Sequence, residues 1–200
     1  MEYKEEKMQY TTTYRSPVGG ILLASDGTGL TGLWFEGEKF YADGLDPEHM
    51  EENHSMEKEV PVFETVKKWL DIYFSGREPD FMPPVHMAGT PFRLSIWKLL
   101  RQIPYGETVT YGKLAEMAAK ERGIARMSAQ AVGGAVGHNP ISVIVPCHRV
   151  VGSDGSLTGY AGGLDIKAKL LSLEGAVLPA CNDILPGREP APPHYHTLRY

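Results

Sequence analysis

Pro146-Cys147-His148-Arg149-Val150 closes an apolar run, Ile141 to Val145, and puts a thiol, an imidazole and a guanidinium in three consecutive positions. The thiolate is the reactive form of cysteine, and a neighbouring His or Arg favours it. Pro146 removes a backbone donor and fixes the local angle. Asn139-Pro140 lies just upstream, and a glycine-rich loop, Gly152 to Gly163, lies just downstream around Tyr160. The stretch reads as a nucleophile presented between a turn and a loop. In an extended chain Cys147 and His148 would point to opposite faces. A direct contact from sulfur to imidazole therefore needs a turn, and a bridging water is the other solution. Asn139 is placed to brace that turn, because Asn bonds nearby backbone readily.

Glu174 is a second anomaly. It falls in the last turn of an expected helix, facing the negative end of the dipole, at a cost of a few tenths to about 1 kcal/mol. That position suits a partner. A histidine beside a nucleophile needs a third group to fix its tautomer and steady its charge, and Glu174 fits that role for His148. A solvated glutamate at a helix end is the plainer reading. Metal binding competes weakly: His138, Cys147 and His148 lack metal-ligand spacing, and no phosphate or dinucleotide fingerprint occurs.

The two cysteines, Cys147 and Cys181, are too few for a disulfide framework, so a reducing cytoplasm is the expected compartment. No apolar stretch approaches a membrane span, and the start of the chain lacks a signal-peptide pattern. The 200 residues carry a net charge of -5, unevenly spread. Residues 1–84 hold 8 basic and 17 acidic side chains, while residues 85–175 hold 10 and 6. The cysteine thus lies in a mildly basic part, a polarity that permits a phosphate-binding face.

Residues 8–36 alternate β-prone runs with turn signals, which predicts an antiparallel meander of about three strands. Residues 37–59 are acidic and read as a loop. Pro61 opens an expected helix with Val62, Val66, Trp69, Leu70 and Tyr73 at helical spacing, ending near Gly76. Residues 77–90 read as an interdomain linker. Thr90, Thr110 and Ser128 are each placed to cap a helix, and the last two helices form a helix-turn-helix pattern. The third, Ala129 to Val136, contains two central glycines that cost roughly 1 kcal/mol each relative to alanine. Either a neighbouring helix or a narrow partner such as a DNA minor groove must approach that backbone closely. A final helix, about Leu164 to Glu174, should bury Leu164, Ala168 and Leu171 and stop at Gly175. The Pro-rich tail, residues 176–200, should be irregular.

Ile-Val-Pro-Cys-His-Arg-Val-Val around Cys147 resembles the signature of the O6-alkylguanine-DNA alkyltransferases, the methylated-DNA–protein-cysteine methyltransferases. Ala131-Val132-Gly133-Gly134-Ala135 with Asn139-Pro140, Gly159-Tyr160-Ala161-Gly162-Gly163, and Leu173-Glu174-Gly175 agree in order and spacing. The resemblance covers about residues 8–175 and is strongest over 91–175. It implies an α+β protein: an N-terminal three-stranded antiparallel sheet with a helix (ribonuclease H-like) over residues 1–84, linker included, then a winged helix-turn-helix-like domain over 85–175.

The resemblance further implies irreversible, single-turnover repair of double-stranded DNA, bound by its minor groove, with O6-alkylguanine flipped into a pocket beside Cys147. O4-alkylthymine is a second candidate substrate. Cys147 would accept the alkyl group, His148 would act through a water as base, and Glu174 would orient it. Asn139 would order the turn, and Tyr111 would protonate the leaving base. Val150, Tyr160 and Ala161 would line the pocket, the carbonyls of Cys147 and Val150 reading the guanine amine. Gln130, Ala131, Gly133, Gly134, Val136 and Arg149 would meet DNA. Gln130 stands where the family usually carries an arginine finger, and the zinc ligands of some members are absent. No cofactor or metal is implied, and a monomer suffices. Two other classes compete: a helix-turn-helix module without activity, and a cysteine hydrolase.

Overall fold

The computed structural model describes residues 8–52 and 60–176. Cys181 and nearly all of the expected irregular tail lie outside the described residues. Three antiparallel strands form as the turn signals predict: β1 (Gln9–Ser16), β2 (Gly19–Ser25) and β3 (Leu30–Phe35). Asp26 makes the second turn by accepting the backbone N–H groups of Thr28 and Gly29. The acidic stretch 37–59 is not wholly loop. A short strand β4 (Met50–Glu52) pairs parallel with the outer edge of β1. Such pairing uses backbone groups, so its sequence needs no apolar alternation.

Helix α1 (Pro61–Phe74) begins with proline at its first position, where no intrahelical donor is lost. It buries Val62, Phe63, Val66, Trp69, Leu70 and Tyr73, the expected stripe with Phe63 added. In strand order β3-β2-β1-β4, β3 lies at one edge of the sheet. Its free edge would be a liability if left open, and the rest of the chain covers it. Leu30 exchanges backbone hydrogen bonds with Pro84 and His86, and Leu33 with Pro140 and Ser142. The expected linker is therefore fastened to the sheet, and so is the segment leading to Cys147.

Helices α2 (Pro91–Leu100), α3 (Tyr111–Glu121) and α4 (Ala129–Gly137) start where the capping residues predict. Thr90, Thr110 and Ser128 each accept the backbone N–H three residues on. Trp97 of α2 donates its ring N–H to the carbonyl of Ala135 in α4, at 2.8 Å. A two-residue parallel ladder joins β5 (Val109–Thr110) to β6 (Val150–Val151). It sets the start of α3 beside the Cys147 turn.

Helix α5 (Leu164–Leu173) buries Leu171 as expected and half-buries Ala168, but not Leu164. Leu164 is 48% exposed, while Lys167, Leu170 and Leu171 point inward. The lysine can do so because two carbonyls receive its ammonium: Nζ donates to Val150 at 2.5 Å and Thr158 at 2.6 Å. The helix stops at Gly175, with φ of 69°.

Trp97→Phe tests how α4 is held. It removes one buried hydrogen bond and part of a ring, and should cost about 2 kcal/mol. Urea unfolding of both proteins measures this.

Candidate active site

The apolar run before the cysteine is not extended. Val143 has φ of 69°, and Val145 donates its N–H back to the carbonyl of Ile141. The cause is Asn139, two residues past the end of α4. Its Oδ1 accepts the N–H of Ile141, and its Nδ2 lies 3.2 Å from the carbonyl of Ile141 and 2.7 Å from that of Val145. The same Nδ2 lies 3.0 Å from Cys147 Sγ. One amide thus folds nine residues into a knot and touches the sulfur at its end.

Cys147 to Arg149 make a single 3-10 turn. The turn sends His148 and Arg149 toward the end of α5, where both meet Glu174. His148 Nε2 lies 2.7 Å from Glu174 Oε1. Arg149 donates Nε to Oε2 at 2.9 Å, its second nitrogen to Oε1 at 3.0 Å, and its third to the carbonyl of Ile103 at 2.6 Å. Gly106 N–H adds a bond to Oε2, and the hydroxyl of Tyr73 donates to Oε1 at 2.8 Å. The same hydroxyl is 3.4 Å from His148 Nε2.

Burial opposes charge on Glu174, yet the bonds and charges of His148 and Arg149 hold its carboxyl at about 2. Glu174 is ionised and His148 is neutral: burial lowers the imidazole below its ordinary value despite the carboxylate. With Nε2–H directed at Glu174, the tautomer leaves a lone pair on Nδ1. That buried nitrogen has no protein hydrogen-bond partner.

Three expectations change here. His148 and Arg149 do not favour the thiolate directly, since both are committed to Glu174. Burial instead pushes the Cys147 thiol up to about 11, opposed by the Asn139 hydrogen bond. Arg149 also cannot serve as a DNA contact, because its guanidinium is buried in the ion pair. Val136 is likewise removed from the expected DNA-facing set: with Val132 and Ala135 it forms the core side of α4. Gln130, Ala131 and Gly134 are exposed, and Gly133 is half-buried against the Tyr111 ring.

The remaining residues of the expected site do come together. Tyr111, first residue of α3, donates to the carbonyls of Thr158 and Gly159, and burial pushes its hydroxyl to about 12. Gly159 has φ of 60°, and a Cβ there would sit 2.8 Å from the Tyr111 hydroxyl. Tyr160 is buried, its ring 6.5 Å from that of His148. The carbonyl of Ala161 accepts the N–H of Lys39, so β3's following loop holds the pocket loop. The carbonyl of Cys147 accepts the N–H of Val150, and that of Val150 accepts Lys167.

Four residues escaped the reading of the sequence. Tyr73 looked like core, and Gly106 like a turn. Lys167 interrupts an apolar helix face, a signal that was there to be used. Glu38 hides in an acidic loop. Yet it is buried, accepts the N–H of Phe35 and faces the Ser142 hydroxyl, and burial pushes it to about 7. Among the described residues no cluster of three metal-ligating side chains occurs.

Comparison with known proteins identifies this arrangement. The family model for the 6-O-methylguanine DNA methyltransferase DNA binding domain matches residues 91–176, and that for its ribonuclease-like domain matches residues 9–87. The chain belongs to the methylated-DNA–protein-cysteine methyltransferase family. It is similar to the Haemophilus influenzae protein of that name, with 43% identity over 82% of this chain and 86% of the relative. The Methanosarcina acetivorans protein shares 41% identity over 84% and 99%. The crystal structure of Mycobacterium tuberculosis OGT in complex with DNA superposes with a TM-score of 0.70, at 38% identity, covering 82% of this chain and 92% of that one. The α+β architecture read from the sequence is that of the family. The activity is DNA repair by transfer of an alkyl group from DNA to a cysteine of the protein itself. Among the described residues no helix is long and apolar enough to cross a membrane.

Glu174→Gln should cost about 3 kcal/mol, because it leaves Arg149 buried without a counter-charge. It should also flatten the acid side of the stability curve. The folded carboxyl lies at about 2, below its ordinary 4.5. Its contribution is therefore present above pH 4.5 and fades as pH falls toward 2. Urea midpoints at pH 7 and pH 3 for both proteins give the two slopes.

Proposed function

We propose that Cys147 is the acceptor, that His148 is its base, and that the substrate is O6-alkylguanine extruded from duplex DNA and approached from the minor groove. The observation that carries this is a neutral imidazole with one bare, buried nitrogen, adjoining a buried thiol at the end of an amide-braced knot. The thiol proton passes through a water to His148 Nδ1. The sulfur attacks the alkyl carbon, the S–C bond forms and the bond to guanine O6 breaks. Tyr111 protonates the departing base and recovers, through solvent, the proton that His148 took, so that in balance the thiol proton ends on guanine. The product is a thioether, which has no acyl carbon for water to attack, so each molecule reacts once. Both bonding electrons come from sulfur, and no cofactor is required.

The roles follow the positions. Tyr160 and Ala161 wall the pocket, and the carbonyls of Cys147 and Val150 retain lone pairs for the guanine amine. On the DNA side, Ala131, Gly133 and Gly134 give α4 a nearly smooth outer surface that can enter a narrow groove. Gln130, exposed at the start of that helix, fills the gap left by the extruded base. One copy of the chain is enough, and a reducing cytoplasm keeps the sulfur a thiol. Residues 1–84 and 85–175 then act as a support domain and a DNA-binding, transfer domain.

Cys147→Ala should abolish transfer from DNA containing O6-methylguanine, and Cys181→Ala should not. Mass spectrometry of the peptides locates the added methyl; a methyl on Cys181 would overturn the assignment. Gln130→Arg should tighten binding to duplex DNA and steepen its salt dependence by about one counterion. Reaction with free O6-benzylguanine, which needs no extrusion, should change little. Equal acceleration on both substrates would place Gln130 in the pocket instead.

A further inference from the structure

Tyr73 sits in the middle of the α1 core stripe, and its ring has the surroundings of a core residue. Trp69 stacks on it at 5.3 Å, while Phe74 and Tyr105 meet it edge-on at 5.2 and 6.0 Å. The side chain is completely buried. Its hydroxyl, however, is turned away from the sheet and into the Glu174–His148 pair.

A buried tyrosine hydroxyl needs one hydrogen-bond partner. This one has two within reach: Glu174 Oε1 at 2.8 Å and His148 Nε2 at 3.4 Å. Those two atoms are themselves 2.7 Å apart. The three atoms close a triangle. The carboxylate can only accept, so the hydroxyl proton goes to Glu174 and a hydroxyl lone pair faces Nε2. A proton on Nε2 then has two acceptors, whereas one on Nδ1 has no protein acceptor.

We propose that Tyr73, contributed by the ribonuclease-like half, is a positioning residue for alkyl transfer: its hydroxyl fixes Glu174 and the Nε2–H tautomer of His148, leaving Nδ1 free to take the thiol proton. This rests on the reading of Cys147 as acceptor and His148 as base. It makes the N-terminal half part of the chemical apparatus rather than a support alone.

The charged and titratable groups that face His148 are Glu174 and Lys167 from α5 and its end, Arg149 from its own turn, Tyr160 from the pocket loop, and Tyr73 from α1. Of these, Tyr73 and Glu174 touch its Nε2. Removing the hydroxyl takes a competing donor from Glu174 Oε1, which concentrates the carboxylate charge on His148. The imidazole should then hold a proton to higher pH, while its ring is held less firmly.

The test is Tyr73→Phe, measured beside His148→Gln. Single-turnover methyl transfer from duplex DNA should slow about tenfold in Tyr73→Phe, part of what a positioned base contributes. The acid limb of its pH–rate profile should move upward, with DNA affinity unchanged. Histidine-selective 15N spectra should show a smaller share of the Nε2–H tautomer of His148. A rate within twofold of the parent with an unchanged tautomer would overturn the proposal. If His148→Gln also keeps the parent rate, the base assignment fails first, and the two failures are distinguishable. Should Tyr73→Phe not fold, the parent protein still decides. A protected Tyr73 hydroxyl proton with a cross-peak to the His148 ring supports the proposal, and its absence overturns it.

Discussion

The carboxylate of Glu174 is the contact on which the rest of the site depends. It is buried at the end of α5 and accepts from Tyr73, Gly106, His148 and twice from Arg149. These donors come from α1, from the turn after α2 and from the nucleophile turn. Taking a carboxylate out of water costs several kcal/mol, recovered only when every lone pair is used and an opposite charge is close. Here both conditions hold. The unfavourable placement against the helix dipole is thereby offset, and the anomaly in the sequence becomes the joint between the two halves of the molecule.

That joint has a consequence for the sulfur. The two cationic or basic neighbours of Cys147 are drawn off to Glu174, and burial keeps the thiol protonated, near 11. A buried thiol of this kind is a poor target for stray electrophiles in solvent. On the proposed mechanism, activation waits until His148, the thiol and an alkyl carbon are aligned. For a protein whose sulfur can be used only once, a reactive resting thiolate would be a liability. The charges of buried Lys167 and Glu38 act on the sulfur in opposite directions, from opposite halves of the chain.

Local chemistry was legible in the sequence. Thr90, Thr110 and Ser128 cap the helices they were expected to cap, because a cap is a contact between residues three apart. Cys147 and His148 stood out by their juxtaposition, Asn139 as a brace for the turn, and Glu174 because a carboxylate is costly at the end of a helix. What escaped was set by tertiary contacts. The apolar run 141–145 carries no sign in its residue types that Asn139 coils it. Arg149 and Val136 were expected to meet DNA, yet their side chains point inward. Tyr73 carries the pattern of core, and nothing in an apolar stripe reveals where one hydroxyl points. β4 has no pattern of its own, since an edge of β1 recruited it.

Helix α4 joins the surface proposed to meet DNA to the turn that holds the sulfur. Two glycines make it intrinsically weak, so its stability comes from packing of Val132, Ala135 and Val136 and from the Trp97 bond to Ala135. Its outer side can therefore stay bare. At one end it carries Gln130; past the other it continues into His138 and Asn139. His138 is bonded to the carbonyl of Gly134 and stacked on Phe40 at 4.2 Å. Nine residues at 1.5 Å each separate the two ends by about 14 Å. The helix thus joins its bare face to Asn139, whose amide holds the knot and touches the sulfur. The stack of Phe40 on His138 and the bond from Trp97 to Ala135 brace that helix at the end nearest the knot.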